Sequence, residues 1–290
     1  MACTELRAEV EMKAVRVLLV ACLTACSAAP ANEIPTPPLR DAEHAKAPTV
    51  LSPQPAPEAS FEGVYITSRS SLYRFDVAAK TVRKVGAYDC AGTMNDIAID
   101  HEGHLYGVGT RGTSESLVAR IDPKTAKCIE EQVVGDFNLT SLEAIPAKPD
   151  GSEALVSCFG AKYVGVELGV TALSLLGSVD LRSMGFVEDI VSVPEVGVFA
   201  VDHSITTHAK PRLVRIDPET GAAKKVVGFI DSARVTGLAY WERTLYGVTS
   251  DRRVIAIDPA TAAKTDVTAD IEAGDDDFSG ATATAARAVR

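Results

Sequence analysis

Leu117-Val118-Ala119-Arg120-Ile121-Asp122-Pro123-Lys124-Thr125 returns as Leu213-Val214-Arg215-Ile216-Asp217-Pro218-Glu219-Thr220-Gly221 and again as Val254-Ile255-Ala256-Ile257-Asp258-Pro259-Ala260-Thr261. A weaker copy is Leu72-Tyr73-Arg74-Phe75-Asp76-Val77. Each copy is a β-rich run closed by a turn. The Asp side chain can cap the turn's N–H groups, Pro presets φ at its first corner, and Thr or Gly releases the next strand. Phe75, Ile121, Ile216 and Ile257 lie 46, 95 and 41 residues apart, so the middle interval holds two repeats, one of them degenerate near Val164 to Leu168.

A second phrase keeps the same period. Asn95-Asp96-Ile97-Ala98-Ile99, Leu142-Glu143-Ala144-Ile145, Glu188-Asp189-Ile190-Val191, Thr236-Gly237-Leu238-Ala239-Tyr240 and Ser279-Gly280-Ala281-Thr282 follow one another at 47, 46, 48 and 43 residues. A third strand falls between the phrases, as in Leu105-Tyr106-Gly107-Val108 and Leu245-Tyr246-Gly247-Val248. Four short strands per repeat with no helical periodicity predict an all-β chain of propeller blades. The first repeat starts on its second strand, at Gly63-Val64-Tyr65-Ile66, and the last segment, from Phe278 to Ala285, reads as a lone first strand. One blade is therefore expected to be shared by the two ends of residues 61–286, giving a five-bladed β-propeller of four-stranded antiparallel blades closed by the C-terminal strand.

The Ile-Asp-Pro-x-Thr phrase resembles the blades of bacterial YVTN-type and quinoprotein-like propellers. Asp96-Ile97-Ala98-Ile99-Asp100, Gly237-Leu238-Ala239-Tyr240-Trp241 and the ending Gly280-Ala281-Thr282 look more like lipoproteins of myxobacterial type that have no assigned activity. The resemblance covers residues 61 to 286 and implies a fold but no reaction. There is no Tyr-Val-Thr-Asn, no Trp-Asp blade ending and no kelch Gly-Gly doublet.

The leader implies export. Met1 to Glu11 carries Glu5, Glu9 and Glu11 against Arg7, whereas a start at Met12 places Lys13 and Arg16 before the apolar run Val17 to Ala25. That run has signal-peptide length and is too short to span a bilayer. It ends in Leu23-Thr24-Ala25-Cys26, which resembles a lipobox and makes Cys26 the lipidated first mature residue. Leu19-Val20-Ala21-Cys22 leaves too short a run upstream. Residues 1–26 are thus expected to be a lipoprotein signal peptide and residues 27–60, with Pro35, Pro37, Pro38, Pro48, Pro53, Pro55 and Pro57, an extended tether. Ser27 follows the anchor where some inner-membrane lipoproteins carry Asp, so the expected location is the outer membrane, periplasmic or surface facing. The lipid's acyl chains are the expected membrane attachment.

The formal charge of −10 argues against nucleic acid and anionic headgroups as partners. An envelope protein or a small ligand is the expected partner of a monomer. Of the cysteines beyond the anchor, Cys90 falls in a turn-rich stretch, Cys128 near the start of an outer strand and Cys158 inside the apolar strand Ala154 to Phe159. Spacing alone fixes no pair. Their placement favours a Cys90–Cys128 disulfide with Cys158 buried.

Aligning the inner strands puts Asp96, Glu143 and Asp189 at equivalent positions, with Gly237 and Gly280 at the other two. Three carboxylates on one axis suit Ca²⁺ or, with their pKa values pushed apart, acid and base for glycoside hydrolysis. The same acids can instead cap strand starts or bind channel water. Six-bladed lactonases hold metal at the tops of inner strands, where Asn95 and Glu188 stand here one register away, and the sequence leaves the two registers open. His203 and His208, in the longest second-to-third-strand loop, are candidates for a transition metal at the same mouth. His101-Glu102-Gly103-His104 reads as a tight turn on the opposite face. The chain carries no nucleophile elbow, phosphate loop or Cys-x-x-Cys, and Trp241 is its single Trp. A non-catalytic binding or scaffold module is the first functional expectation, and a lactonase-like or glycosidase-like hydrolase or lyase the second.

Overall fold

The computed structural model describes residues 63–146, 153–167, 169, 171, 173–179, 185–204, 210–267, 270–271 and 277–284. Cys26, the stretch 27–60 and His208 lie outside the described residues. The first strands are β1 (Val64–Ser68), β2 (Ser71–Asp76) and β3 (Thr81–Ala87). The next blade is β4 (Thr93–Ile99), β5 (Leu105–Arg111), β6 (Glu115–Ile121) and β7 (Cys128–Gly135). The third is β8 (Ser141–Pro146), β9 (Glu153–Phe159), β10 (Lys162–Val166) and β11 (Ser174–Ser178). The fourth is β12 (Gly185–Val193), β13 (Gly197–Ser204), β14 (Arg212–Ile216) and β15 (Ala223–Phe229). The fifth is β16 (Val235–Trp241), β17 (Thr244–Thr249), β18 (Val254–Ile257) and β19 (Lys264–Asp266), followed by β20 (Asp270–Ile271) and β21 (Phe278–Ala283).

These strands form five antiparallel sheets, and the degenerate repeat is β10 with its neighbours. Closure follows the predicted phase. β21 pairs antiparallel with β1, from Val64 opposite Ala283 to Ser68 opposite Phe278, and becomes the inner strand of the first blade. One addition has no repeat signature: β20 runs parallel along the outer edge of β3, with Asp270 opposite Thr81 and an Arg83–Asp270 ion pair of 2.7 Å. It covers an edge that would otherwise stay unpaired.

Each of the five buried apolar clusters draws mainly on two adjacent blades, so the core is a set of seams rather than one centre. Tyr73 and Phe75 of the first blade pack with Tyr246 and Val248 of the fifth, and Tyr65 and Leu72 with Ile97 and Leu105 of the second. Ala98 and Val108 meet Leu142 and Val164, Tyr163 meets Ile190 and Val214, and Phe199 meets Leu238 and Leu245. The rings of Tyr73 and Phe278 meet edge-on at 5.5 Å, and those of Phe75 and Tyr246 at 5.8 Å. Burying such aromatic bodies at the closing seam is what a ring gains over an open array.

The turn phrase works as its chemistry requires. Asp122 accepts from Lys124 N and Thr125 Oγ1, Asp258 from Ala260 N and Thr261 Oγ1, all at 2.8 Å, and Asp217 from Glu219 N and Thr220 N at 3.0 Å. Each turn ends in a left-handed residue, Ala126, Gly221 or Ala262. The turn then docks on the preceding blade at a glycine. A Cβ at Gly86, Gly177 or Gly228 would meet the carbonyl oxygen of Thr125, Thr220 or Thr261 at 2.7, 2.0 or 2.8 Å. Cys90 and Cys128 form a disulfide with Cα atoms 5.4 Å apart, while Cys158 is a buried free thiol that burial pushes up to about 12.

Candidate functional site

The inner strands share one local device. β4, β12, β16 and β21 each carry a bulge near their start, at Asn95, Glu188, Thr236 and Ser279, where the register with the neighbouring strand skips a residue. A bulge re-aims one side chain out of the pleat. The four bulged residues join Thr140, just before β8, in lining a cavity of about 500 Å³. Arg69 and Ser250, from second-to-third-strand loops, and Asn138, Arg234 and Asp277, which precede inner strands, complete its wall. This is the mouth on the loop face, and all five blades reach it.

The polar groups of the wall are largely paired. Glu188, about nine-tenths buried, accepts both arms of Arg234, Nε to Oε1 at 2.9 Å and Nη2 to Oε2 at 2.6 Å. Asn95 Nδ2 donates to Leu139 O at 2.8 Å and to Asn138 Oδ1 at 3.0 Å. Thr140 Oγ1 lies 2.9 Å from Val187 O, and Thr236 Oγ1 donates to Phe278 O at 2.9 Å. Among the residues singled out from sequence, Asn95 and Glu188 therefore belong to the mouth.

Asp96 and Asp189 sit one step beneath, fully buried and outside the cavity wall. Asp96 Oδ2 accepts Leu142 N of the third blade at 2.6 Å, and Asp189 accepts Leu238 N of the fifth as well as its neighbour Ile190 N at 2.6 Å. Both carboxyls are pushed well up by burial, and they lie in hydrogen-bonding contact with each other. Asp96 Oδ1 has no N–H or O–H donor among the described residues. One shared proton therefore suits this pair better than two charges. The glycines of the layer are spacers: a Cβ on Gly280 would stand 1.9 Å from Asp96 Oδ1, and one on Gly237 would stand 2.5 Å from Ala281 N.

Glu143 corrects the sequence alignment. Its Oε1 accepts Ser192 N of the fourth blade at 2.7 Å, and the matching bond elsewhere is Thr282 Oγ1 to Ile99 N at 3.2 Å. Glu143 thus corresponds to Thr282, while Ser141 corresponds to Asp96 and Asp189. Aligning acid with acid sets the third blade two residues out of phase, because it overrides the apolar-polar order of Leu139-Thr140-Ser141. Glu143 lines a separate cavity of about 330 Å³ with Tyr240, Arg243 and Thr282, on the face of the first-to-second-strand turns, and burial raises its pKa. The three acids do not form one metal-ligand set: their oxygens are not all within 4.8 Å of one another, and Glu143 lines a different cavity from the mouth.

His203 lies on β13 opposite Phe186, away from the mouth wall, and its buried Nδ1 has no partner among the described residues. On the opposite face Asp100 accepts Glu102 N at 3.0 Å and His104 N at 2.8 Å, with His104 Nδ1 and Tyr106 Oη on its other oxygen, so these metal-like letters make a turn. The sequence pattern does not mark Arg69, Asn138, Thr140, Arg234 or Ser250, because the bulges and loop approaches that bring them to one mouth leave the apolar pattern unchanged.

No family model matches the chain, and no curated protein matches it. Similar solved structures include the Dos1 propeller, at 8% identity over 71% of this chain and 55% of that one, TM-score 0.42. A protein of unknown function from Bacteroides caccae is similar at 10% identity over 78% of this chain and all of that one, TM-score 0.46. An auxiliary nutrient binding protein from Bacteroides thetaiotaomicron is similar at 10% identity over 70% of this chain and 53% of that one, TM-score 0.44. The chain spans about half the length of the Dos1 and nutrient-binding chains. The propeller assignment rests on the strand pairing itself.

Proposed function

We propose that this protein is a binding module, exported and lipid-anchored through Cys26 to the outer membrane, whose propeller takes a small polar ligand at the mouth. The observation that carries the reading is the cavity of about 500 Å³ to which every blade contributes a polar side chain aimed by a bulge or a loop. Such a wall fixes orientation and specificity on a rigid ring. The hydrolase alternative needs an acid and a base in reach of the cavity. Asp96 and Asp189 lie under it with their oxygens committed to neighbouring blades and to each other, and Glu188 is held by Arg234, which leaves Asp277 as the one uncommitted carboxylate of the described wall, with no second acid or base beside it.

Calorimetric titration of the protein with sugars, sugar acids, amino acids and nucleosides tests the reading. Binding should appear for one class and fall at least about tenfold in Glu188→Gln, which loses a charged pair. Binding that ignores mouth substitutions, or turnover of a lactone or glycoside, would overturn it. For the anchor, Cys26→Ser should move the protein from the membrane to the soluble fraction with its melting temperature unchanged. Retention after a high-salt wash would refute lipidation.

A further inference from the structure

The wall of the mouth contains two charges without a counter-charge among the described residues, the guanidinium of Arg69 and the carboxylate of Asp277. Both are exposed into the cavity, and they flank the same strand pair, one step beyond the Ser68–Phe278 pairing of β1 with β21. The other charged pair of the wall, Glu188 with Arg234, is closed on itself. The amide N–H groups of Asn95 and the hydroxyls of Thr140 and Thr236 already have acceptors. Phe278 is 1% exposed, with its ring against Tyr73 and under Arg252, so it offers no stacking face to a sugar ring or a base.

Charge narrows the ligand further. A purely anionic molecule approaches a chain of formal charge −10 against its field, and a purely cationic one leaves Arg69 without a partner. A net-neutral molecule carrying both a carboxylate and an ammonium satisfies both side chains with no such cost. Building on the reading of the mouth as a binding site, we propose that it recognises zwitterions of the α-amino-acid type. Arg69 takes the carboxylate by charge-assisted hydrogen bonds and Asp277 the ammonium, while Ser250, Ser279 and Asn138 face the side chain.

The test uses the full chain and calorimetry with the proteinogenic amino acids, their dipeptides, and neutral hexose and citrate as outgroups. The best amino acid is compared with its 2-hydroxy-acid and decarboxylated amine counterparts, each expected to bind at least about tenfold more weakly. Arg69→Met should weaken the amino acid and the hydroxy acid and leave the amine unaffected. Asp277→Asn should weaken the amino acid and the amine and leave the hydroxy acid unaffected. Dipeptides that bind better than free amino acids would assign the zwitterion to a peptide. Hexose or citrate binding with amino acids inert would overturn the ligand class and leave the mouth as a binding site. If no probe binds at millimolar concentration, both readings fall.

Discussion

Asp189 accepts two main-chain N–H groups, from Ile190 and Leu238, whereas Asp96 accepts Leu142 N and its other oxygen meets no N–H, which leaves it to the proton held between the two carboxyls. Asparagine has one acceptor oxygen and one donor nitrogen, so the two sites should respond in opposite senses. Asp96→Asn keeps the bond to Leu142 and gives Asp189 a donor, and at pH 7 it should stabilise the domain by about 1–3 kcal/mol. Asp189→Asn removes an acceptor and should destabilise by a similar amount. The pH profile follows from the same pair. Burial raises Asp96, Glu143 and Asp189 above the unfolded carboxylate range, so their contribution is fully present below about pH 4 and is lost as pH rises through the folded values. Asp217 is the reverse case. Its partner Lys224 and its own turn hold it near about 2, so its contribution is present above about pH 4 and fades as pH falls toward 2. Urea denaturation should therefore find the wild type most stable in weak acid, with the fall toward neutral pH reduced in Asp96→Asn. An unchanged profile would mean that the pair does not share a proton.

At the scale of elements, the glycine sockets connect turn chemistry to blade packing. Asp-Pro-x-Thr ties its own hairpin, and the same turn presents a carbonyl to the previous blade, which can approach only where no Cβ intervenes. Gly177→Ala places a Cβ 2.0 Å from Thr220 O, so one blade must shift against the other; a loss of about 1–3 kcal/mol is expected. Gly165→Ala is the control. Its nearest neighbours are side-chain atoms at 3.6 Å and beyond, and its effect should stay within about 0.5 kcal/mol. Paired thermal melts of the two variants check the socket. Equal melting temperatures would show that the turn does not bear on the seam.

For the whole molecule, stability depends on closure. The β21 strand supplies Phe278 and Ala281 to the seam between the fifth and first blades and the hydroxyl of Thr282 to the second. Inter-blade bonds of the same kind cross every other seam, through Asp96, Glu143, Asp189 and Thr236. A chain ending at Asp277 loses one inner strand and opens two seams, so the loss should approach the whole stability of about 5–15 kcal/mol typical of a domain. Hydrogen exchange should show it across all blades rather than the first alone, because each seam supports the next. Protection retained in the second to fourth blades would show that the ring folds blade by blade.

Blade count, strand phase and the shared blade are legible in the sequence, since these depend on local periodicity and on turn residues that act within a few positions of themselves. It also carried the mouth residues Asn95 and Glu188, though with the register undecided. The equivalence of Glu143 with Thr282, the buried contact of Asp96 with Asp189 and the sockets at Gly86, Gly177 and Gly228 emerge only in the folded chain. Each is a relation between residues of different blades, 33 to 139 positions apart along the chain, and no residue's own neighbours report which atom of another blade it will face. A bulge adds one residue to a strand without changing its apolar pattern, so it is silent in sequence while it chooses which side chain enters the mouth.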